Sequence, residues 1–428
     1  MRSKRLLLLV AALSAVAVIS GACAQEGGGQ AGGCSSEDLQ ALQVSRPELA
    51  KDFTLAKAVR PSNVLGQAKK TVKIGFLGDL TGANSNLVVS SNRAAQLAVE
   101  QANAKGDLPV TLELRSEDNK DGGPDPAPGL AQRLISDPAV LGVIGPAFSG
   151  ETKVTGALFE QAGLTAISQS ATNPDLTKNG WKTFFRALAT DDVQGGQTGT
   201  LIVDVLGCKK VAVINDKSEY GAGLGKAVVD SVKREGGDVV LDEGIEPTTD
   251  YTSVIDSVIA ADADLVHYSG YVAQAPLVAK QYRDKGGEGL FMGGDGDKGA
   301  AFITEGADAA EGAVLTCPCL DPNASDAPDA QKFAADYKAK FGSEADIYSA
   351  EGWDVAQIFI AAIRAGGANA TRASVLEFVT NLKDFKGLTK TFNWTPEHEV
   401  VGGEITYVYV VRDGSFKLAG TIDELAKE

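Results

Sequence analysis

Histidine is nearly missing from this 428-residue chain, which has only His267 and His398. Neither sits in a recognisable motif, so a histidine-built zinc centre or a Ser-His-Asp hydrolase has almost nothing to start from. Positive charge is also short: 40 Lys and Arg stand against 56 Asp and Glu, for a formal net charge of −16. So acidic a body repels phosphate backbones and anionic lipid surfaces, which excludes nucleic-acid binding. Five cysteines are too few for a disulfide-built scaffold of this length. Long apolar runs are absent as well. The best of them, from Leu6 to Ile19, stops short of the roughly 20 residues that a membrane-spanning helix needs.

That apolar run is preceded by Arg2, Lys4 and Arg5 and followed by Ser20-Gly21-Ala22-Cys23. A basic start, a short apolar stretch and small residues make an export signal over residues 1–22. The last four residues resemble a bacterial lipobox, whose cysteine becomes lipidated and then the mature N-terminus, so Cys23 is the expected lipid anchor. Ala22-Cys23-Ala24 also fits ordinary cleavage after Ala24. The Gly-rich tether that follows, Ala24 to Gly33, favours lipidation, since it lets a body hang from a membrane surface. Cys34, Cys208, Cys317 and Cys319 remain for structural disulfides in an oxidising compartment, a reading preferred over a metal or redox pair at Cys317-Pro318-Cys319, and their pairing cannot be read from spacing.

With 44% hydrophobic residues, the chain can bury a large core, and its length suggests two domains. Residues 23–70 read as tether and N-terminal extension. From Thr71 onward, β-like and helix-like segments alternate. Val72-Lys73-Ile74-Gly75-Phe76-Leu77 predicts a strand, and residues 88–104 carry Ala94, Ala95, Leu97, Ala98 and Ala102 at helical spacing. Further strands are expected at 110–115, 139–144, 164–168, 211–214, 238–241, 265–269, 290–293 and 313–316. A helix is expected around 224–235, ending at Gly236-Gly237. Alternation of this kind implies parallel sheets covered on both faces. Near the C-terminus, Asp413-Gly414 between two β-like runs signals a hairpin.

In open α/β sheets, ligands sit beyond the carboxyl ends of the strands. Four such ends carry useful chemistry. Phe148-Ser149-Gly150 precedes a helix, where Ser149 either caps the helix or offers a hydroxyl to a carboxylate. Ser170-Ala171-Thr172-Asn173-Pro174 is either an ordinary polar turn or a second set of donors and acceptors. Asp295, between Gly294 and Gly296, is either a turn aspartate or a counter-charge for an ammonium. Tyr220 and Tyr271 supply flat apolar walls with a hydroxyl, or simply pack. Gly221-Ala222-Gly223-Leu224-Gly225-Lys226 looks like a phosphate loop, yet Ala227 replaces the magnesium-binding Ser or Thr, so it reads as a glycine-rich helix start. Asp321 to Asp326 lacks the glycine of a calcium loop, and Lys332 replaces its bidentate acid. No metal or cofactor is expected.

Taken in order, Ile74-Gly75 to Thr81-Gly82, Val143-Ile144-Gly145, Ser170 to Pro174, Asp216 to Gly221, Tyr268-Ser269-Gly270-Tyr271 and Phe291-Met292-Gly293 resemble the Leu/Ile/Val-binding branch of the type I periplasmic binding proteins. The resemblance runs from about Thr71 nearly to the C-terminus. It implies two three-layer α/β/α lobes with mainly parallel sheets, joined by a three-strand hinge. Lobe one is then 71–189 with 320–388, and lobe two is 190–319 with 389–428. It further implies that Ser149 and Thr172 hold a ligand α-carboxylate, with Phe148 and Ala171 beside them. The Ser170 carbonyl and Asp295 hold the α-ammonium, and Tyr220 and Tyr271 close from lobe two. The family usually has Glu where Asp295 stands, often an aromatic where Leu87 stands, and a cysteine where Phe148 stands. The implied role is capture of a small ligand, an amino acid above all, for an ABC permease by a monomer held to the outer face of the cell membrane or free in the periplasm. The alternatives are a sensor of the same fold or a binder of amides, urea or aromatic acids; an enzyme ranks below these.

Overall fold

The computed structural model describes residues 34–37, 39, 69–120 and 123–427. The export signal, Cys23 and most of the extension lie outside these residues. Among the described residues, no helix is long and apolar enough to cross a membrane.

Aliphatic and β-branched runs form the strands, and the helices between them cover both faces. Five parallel strands make sheet one: β1 (Thr71–Gly78), β2 (Thr111–Asp118), β3 (Val140–Ile144), β4 (Thr165–Ser168) and β5 (Phe184–Arg186), in the order β2-β1-β3-β4-β5. Every side chain of β3 and β4 is buried, as expected for strands covered on both faces. Sheet two has β6 (Lys210–Asn215), β7 (Asp238–Gly244), β8 (Leu265–Ser269), β9 (Leu290–Gly293) and β10 (Val314–Cys317) running parallel. A small two-stranded piece, β11 (Phe385–Lys386) with β12 (Thr391–Phe392), stands apart. The antiparallel hairpin β13 (Tyr407–Arg412) and β14 (Ser415–Thr421) joins sheet two beside β10, giving β14-β13-β10-β9-β8-β6-β7. Its turn has φ of 51° at Asp413 and 63° at Gly414, the two positive values that a tight two-residue hairpin requires.

The chain passes between the sheets three times. It leaves sheet one after β5 for β6, and returns after β10, where helices Ser349–Gly366 and Arg372–Thr380 pack on β3. It crosses again before β13. Two disulfides stand at telling places. Cys34–Cys208 ties the N-terminal stretch to the segment just ahead of β6, and Cys317–Cys319 closes a three-residue ring as the chain leaves β10.

Arg186, at the end of β5, is fully buried. Its guanidinium donates to both carboxylate oxygens of Glu399, at 2.8 and 2.5 Å, and to the carbonyls of Ala171 and Asn173. A planar fork with five donors suits this bidentate pairing. It fastens the end of sheet one to the third passage of the chain.

Candidate functional site

Loops beyond the carboxyl ends of both sheets meet in one cavity. From the side of sheet one come Leu87, Val88, Ala147, Phe148, Ser149, Ser170 and Tyr348; from sheet two come Tyr220, Tyr271, Asp295 and Gly296. The local backbone explains several of these positions. After β3, Gly145 adopts φ 105°, where an added Cβ would lie 2.7 Å from the Leu77 carbonyl. Only glycine takes this turn without strain, and it delivers Phe148 and Ser149 to the wall.

Phe148 occupies the cap position of helix Ser149–Gln161, and its N–H donates to Glu151 Oε2 at 3.1 Å. Ser149 is therefore not the cap. It opens the first turn, and its hydroxyl oxygen accepts the Asn173 N–H at 3.3 Å. Burial drives the Glu151 carboxyl up to about 8, despite hydrogen bonds from the Asn119 amide and the Phe148 N–H. The glycine-rich segment proves to be the start of helix Glu219–Arg234, capped by Ser218. A Cβ on Gly221 would sit 2.1 Å from Asp216 Oδ1, so the glycine there serves close packing. This fixes Tyr220 against the cavity.

Asp295 is the electrostatic centre. It is 1% exposed, and each of its oxygens accepts a phenol hydrogen: Oδ1 from Tyr220 at 2.7 Å and Oδ2 from Tyr348. The Tyr220 oxygen also accepts the Gly296 N–H at 2.9 Å. Burial raises the Asp295 pKa above the usual carboxylate range, and the phenol hydrogen bonds oppose that rise. Asp191 and Asp297 are buried close by and are likewise raised, chiefly by burial, with like charge from Asp295 adding to Asp191 and from Asp216 and then Asp295 to Asp297. Around this carboxylate the aromatic rings interlock. Phe148 meets Tyr271 edge-on at 5.1 Å, and Tyr220 leans on Tyr271 at the same separation.

Six of the eight expected ligand-contact residues line the cavity: Phe148, Ser149, Ser170, Tyr220, Tyr271 and Asp295. Leu87 lines it too. Ala171 and Thr172 do not. The Ala171 carbonyl is taken by Arg186 at 3.1 Å, and the Thr172 carbonyl by the Asp191 N–H at 2.9 Å, which draws this stretch toward the first passage of the chain. The Ser170 hydroxyl donates to the Ala147 carbonyl at 2.7 Å. Tyr348 was not foreseen. It takes a left-handed conformation, φ 58°, directly before helix Ser349–Gly366. A lone tyrosine at the head of a long helix was the one available signal.

The wall combines hydroxyls, one carboxylate and aromatic faces, and this set can hold a small polar molecule by both ends. The room left between these side chains is only about 10 Å³, roughly that of one water. Among the described residues, no group of three or more His, Cys, Asp or Glu is placed to hold a metal.

Comparison with known proteins places this architecture. The family model described as periplasmic binding protein matches residues 71–415. An amino acid binding protein of Pseudomonas aeruginosa is 31% identical over 331 residues, covering 75% of this chain and 86% of the relative. A Leu/Ile/Val-binding protein of Rhizobium johnstonii is 29% identical over 326 residues, 74% of this chain and 85% of the relative. Among solved structures, the branched-chain amino acid transporter substrate-binding protein LivJ of Streptococcus pneumoniae, in complex with isoleucine, superposes with a TM-score of 0.75. It is 26% identical, over 82% of this chain and 99% of that one. The two mainly parallel sheets, the cavity between them and the match across 71–415 agree: this chain is a solute-binding protein of the periplasmic binding protein family, with the type I α/β fold.

Proposed function

We propose that this protein captures an amino acid with an apolar side chain outside the cell membrane and hands it to an ABC permease, held to the membrane by lipid on Cys23. The two sheets and their helices are the lobes, 71–189 with 320–388 and 190–319 with 389–428. The observation that carries the reading is Asp295, a buried carboxylate set among aromatic rings and facing Ser149 and Ser170 from the other sheet. An ammonium at Asp295, a carboxylate at Ser149 and an aliphatic side chain along Leu87, Phe148 and Tyr271 satisfy all three parts of that wall. The relatives' names support the choice, since they bind Leu, Ile and Val.

With about 10 Å³ free, an amino acid enters only when the wall residues draw apart. Capture is therefore a hinge motion: one lobe takes the ligand, rotation buries it against the other, and the closed shape is what the permease meets. No covalent step belongs to this reading.

The test is a thermal-shift screen on the chain beginning at Cys34, unfolded and refolded to strip bound ligand. The panel holds the common L-amino acids, their amides, urea and small carboxylates. A ligand at a hundred times its Kd stabilises by about 2.7 kcal/mol, which such a screen resolves. A shift confined to Leu, Ile, Val and their like supports the proposal. A shift with amides alone overturns the ammonium role of Asp295. That second reading has its own support, because both Asp295 oxygens already accept phenol hydrogens. Silence across the panel overturns both.

A further inference from the structure

A second cavity, of about 310 Å³, opens where the chain passes between the sheets. It has no residue in common with the first. Leu320, just past β10, and Ile405 and Leu418, from the C-terminal hairpin region, give it an apolar lining. Its size lies at the small end of ordinary ligand pockets, which are mostly apolar with a few placed polar groups. Such groups stand at its rim. At the exposed edge stand Glu404, Asp423 and Glu424, and no cation pairs with any of the three carboxylates among the described residues.

The one basic residue in the wall does not reverse this charge. The Lys390 amine donates to the Ala187 carbonyl at 3.0 Å, and burial holds its pKa below the usual lysine range, with Glu351 and Asp354 opposing that fall. An anion entering here meets three rim carboxylates and a lysine whose charge burial disfavours. A cation with an apolar tail meets the opposite.

We propose that this cavity is a second binding site, for a small organic amine. The ammonium sits among Glu404, Asp423 and Glu424, and the alkyl or aryl body lies against Leu320, Ile405 and Leu418. An occupant there touches Leu320 and Lys390, on the second and third passages between the sheets, so it bears directly on the angle between them. The site stands independently of what the first cavity binds.

Three probes of equal length separate the contributions: hexylamine, hexanol and hexanoate, titrated calorimetrically into the full refolded chain. Hexylamine is expected to bind saturably, hexanol at least threefold more weakly, and hexanoate not at all. Glu404→Gln with Asp423→Asn, both at exposed positions, should weaken hexylamine about threefold for each charge removed and leave hexanol unchanged. Leu418→Trp, which fills the cavity, should abolish hexylamine binding with the fold intact by circular dichroism. Asp295→Asn should leave hexylamine binding as it was, which separates this site from the first cavity. The proposal is overturned by absence of saturable hexylamine binding, by hexanoate binding as tightly, or by a loss that follows Asp295→Asn instead of the rim substitutions.

Discussion

Asp295→Asn should move two measurements in opposite directions. In the folded chain the Asp295 carboxylate is buried with Asp191 and Asp297 nearby, and burial already raises its pKa. Asn keeps an oxygen to accept from a tyrosine hydroxyl but removes the buried charge and its repulsion of the two neighbouring acids. The ligand-free protein should therefore become more stable, seen as a higher urea midpoint with an unchanged slope. Binding goes the other way. A buried ammonium that loses its counter-charge costs about 3–5 kcal/mol, so affinity for the amino acid found in the screen should fall by roughly a hundredfold or more. Isothermal titration calorimetry at one pH gives that number directly. Unchanged affinity removes Asp295 from the site. A loss of affinity accompanied by a matching loss of stability refutes the reasoning differently, because it makes Asp295 a structural residue.

Tyr348→Phe should destabilise the ligand-free protein by about 1.5–3 kcal/mol, since it takes a donor from a buried carboxylate; a change under about 0.5 kcal/mol in urea unfolding contradicts the hydrogen bond. Glu399→Ala should cost about 3 kcal/mol, because it leaves the fully buried Arg186 guanidinium without its partner, and urea unfolding at neutral pH reads this too. Stability should also depend on pH through Glu151, whose carboxyl lies at about 8 in the folded chain against an ordinary value of 4.5. A raised acid contributes stability that is complete below its unfolded value and is lost as pH rises through the folded one. Thermal midpoints should therefore fall from about pH 5 to about pH 9, and Glu151→Gln should flatten that slope; an unaltered slope in the variant assigns the dependence to other groups.

The strands were legible because buried parallel strands are short apolar runs that need no partner to be recognised. Residues 265–269 and 290–293 were predicted to the residue and the other expected strands within a few positions, whereas the short strands β5, β11 and β12 were not foreseen. Helix Glu219–Arg234 begins five residues earlier than expected, since three glycines hide the helical pattern while the Ser218 cap and close packing against Asp216 and Ser269 hold it. The residues on strand ends that line the cavity were visible because α/β sheets commonly bind ligands beyond their strand ends. Tyr348 was not, because a lone tyrosine at a helix head is a weak local signal: its importance comes from meeting Asp295, 53 positions away in the chain. Ala171 and Thr172 stand outside the cavity wall for a similar reason: Arg186 takes the Ala171 carbonyl and the Asp191 N–H takes the Thr172 carbonyl, both from well along the chain. Disulfide pairing was closed to sequence reading as well, for Cys34 and Cys208 are 174 positions apart.

That last bridge has a mechanical consequence. Any pull on the N-terminus reaches Cys34 first and crosses the sulfurs to Cys208, just ahead of β6. The load enters through sheet two, where Ser36 also grips the Gly312 carbonyl and Arg412 grips Ser36. Strand β1, which begins sheet one at Thr71 and pairs on both its edges, is shielded from it. Under the anchorage and hinge motion proposed above, such a pull would load one half of the molecule and leave the movement of the other unloaded.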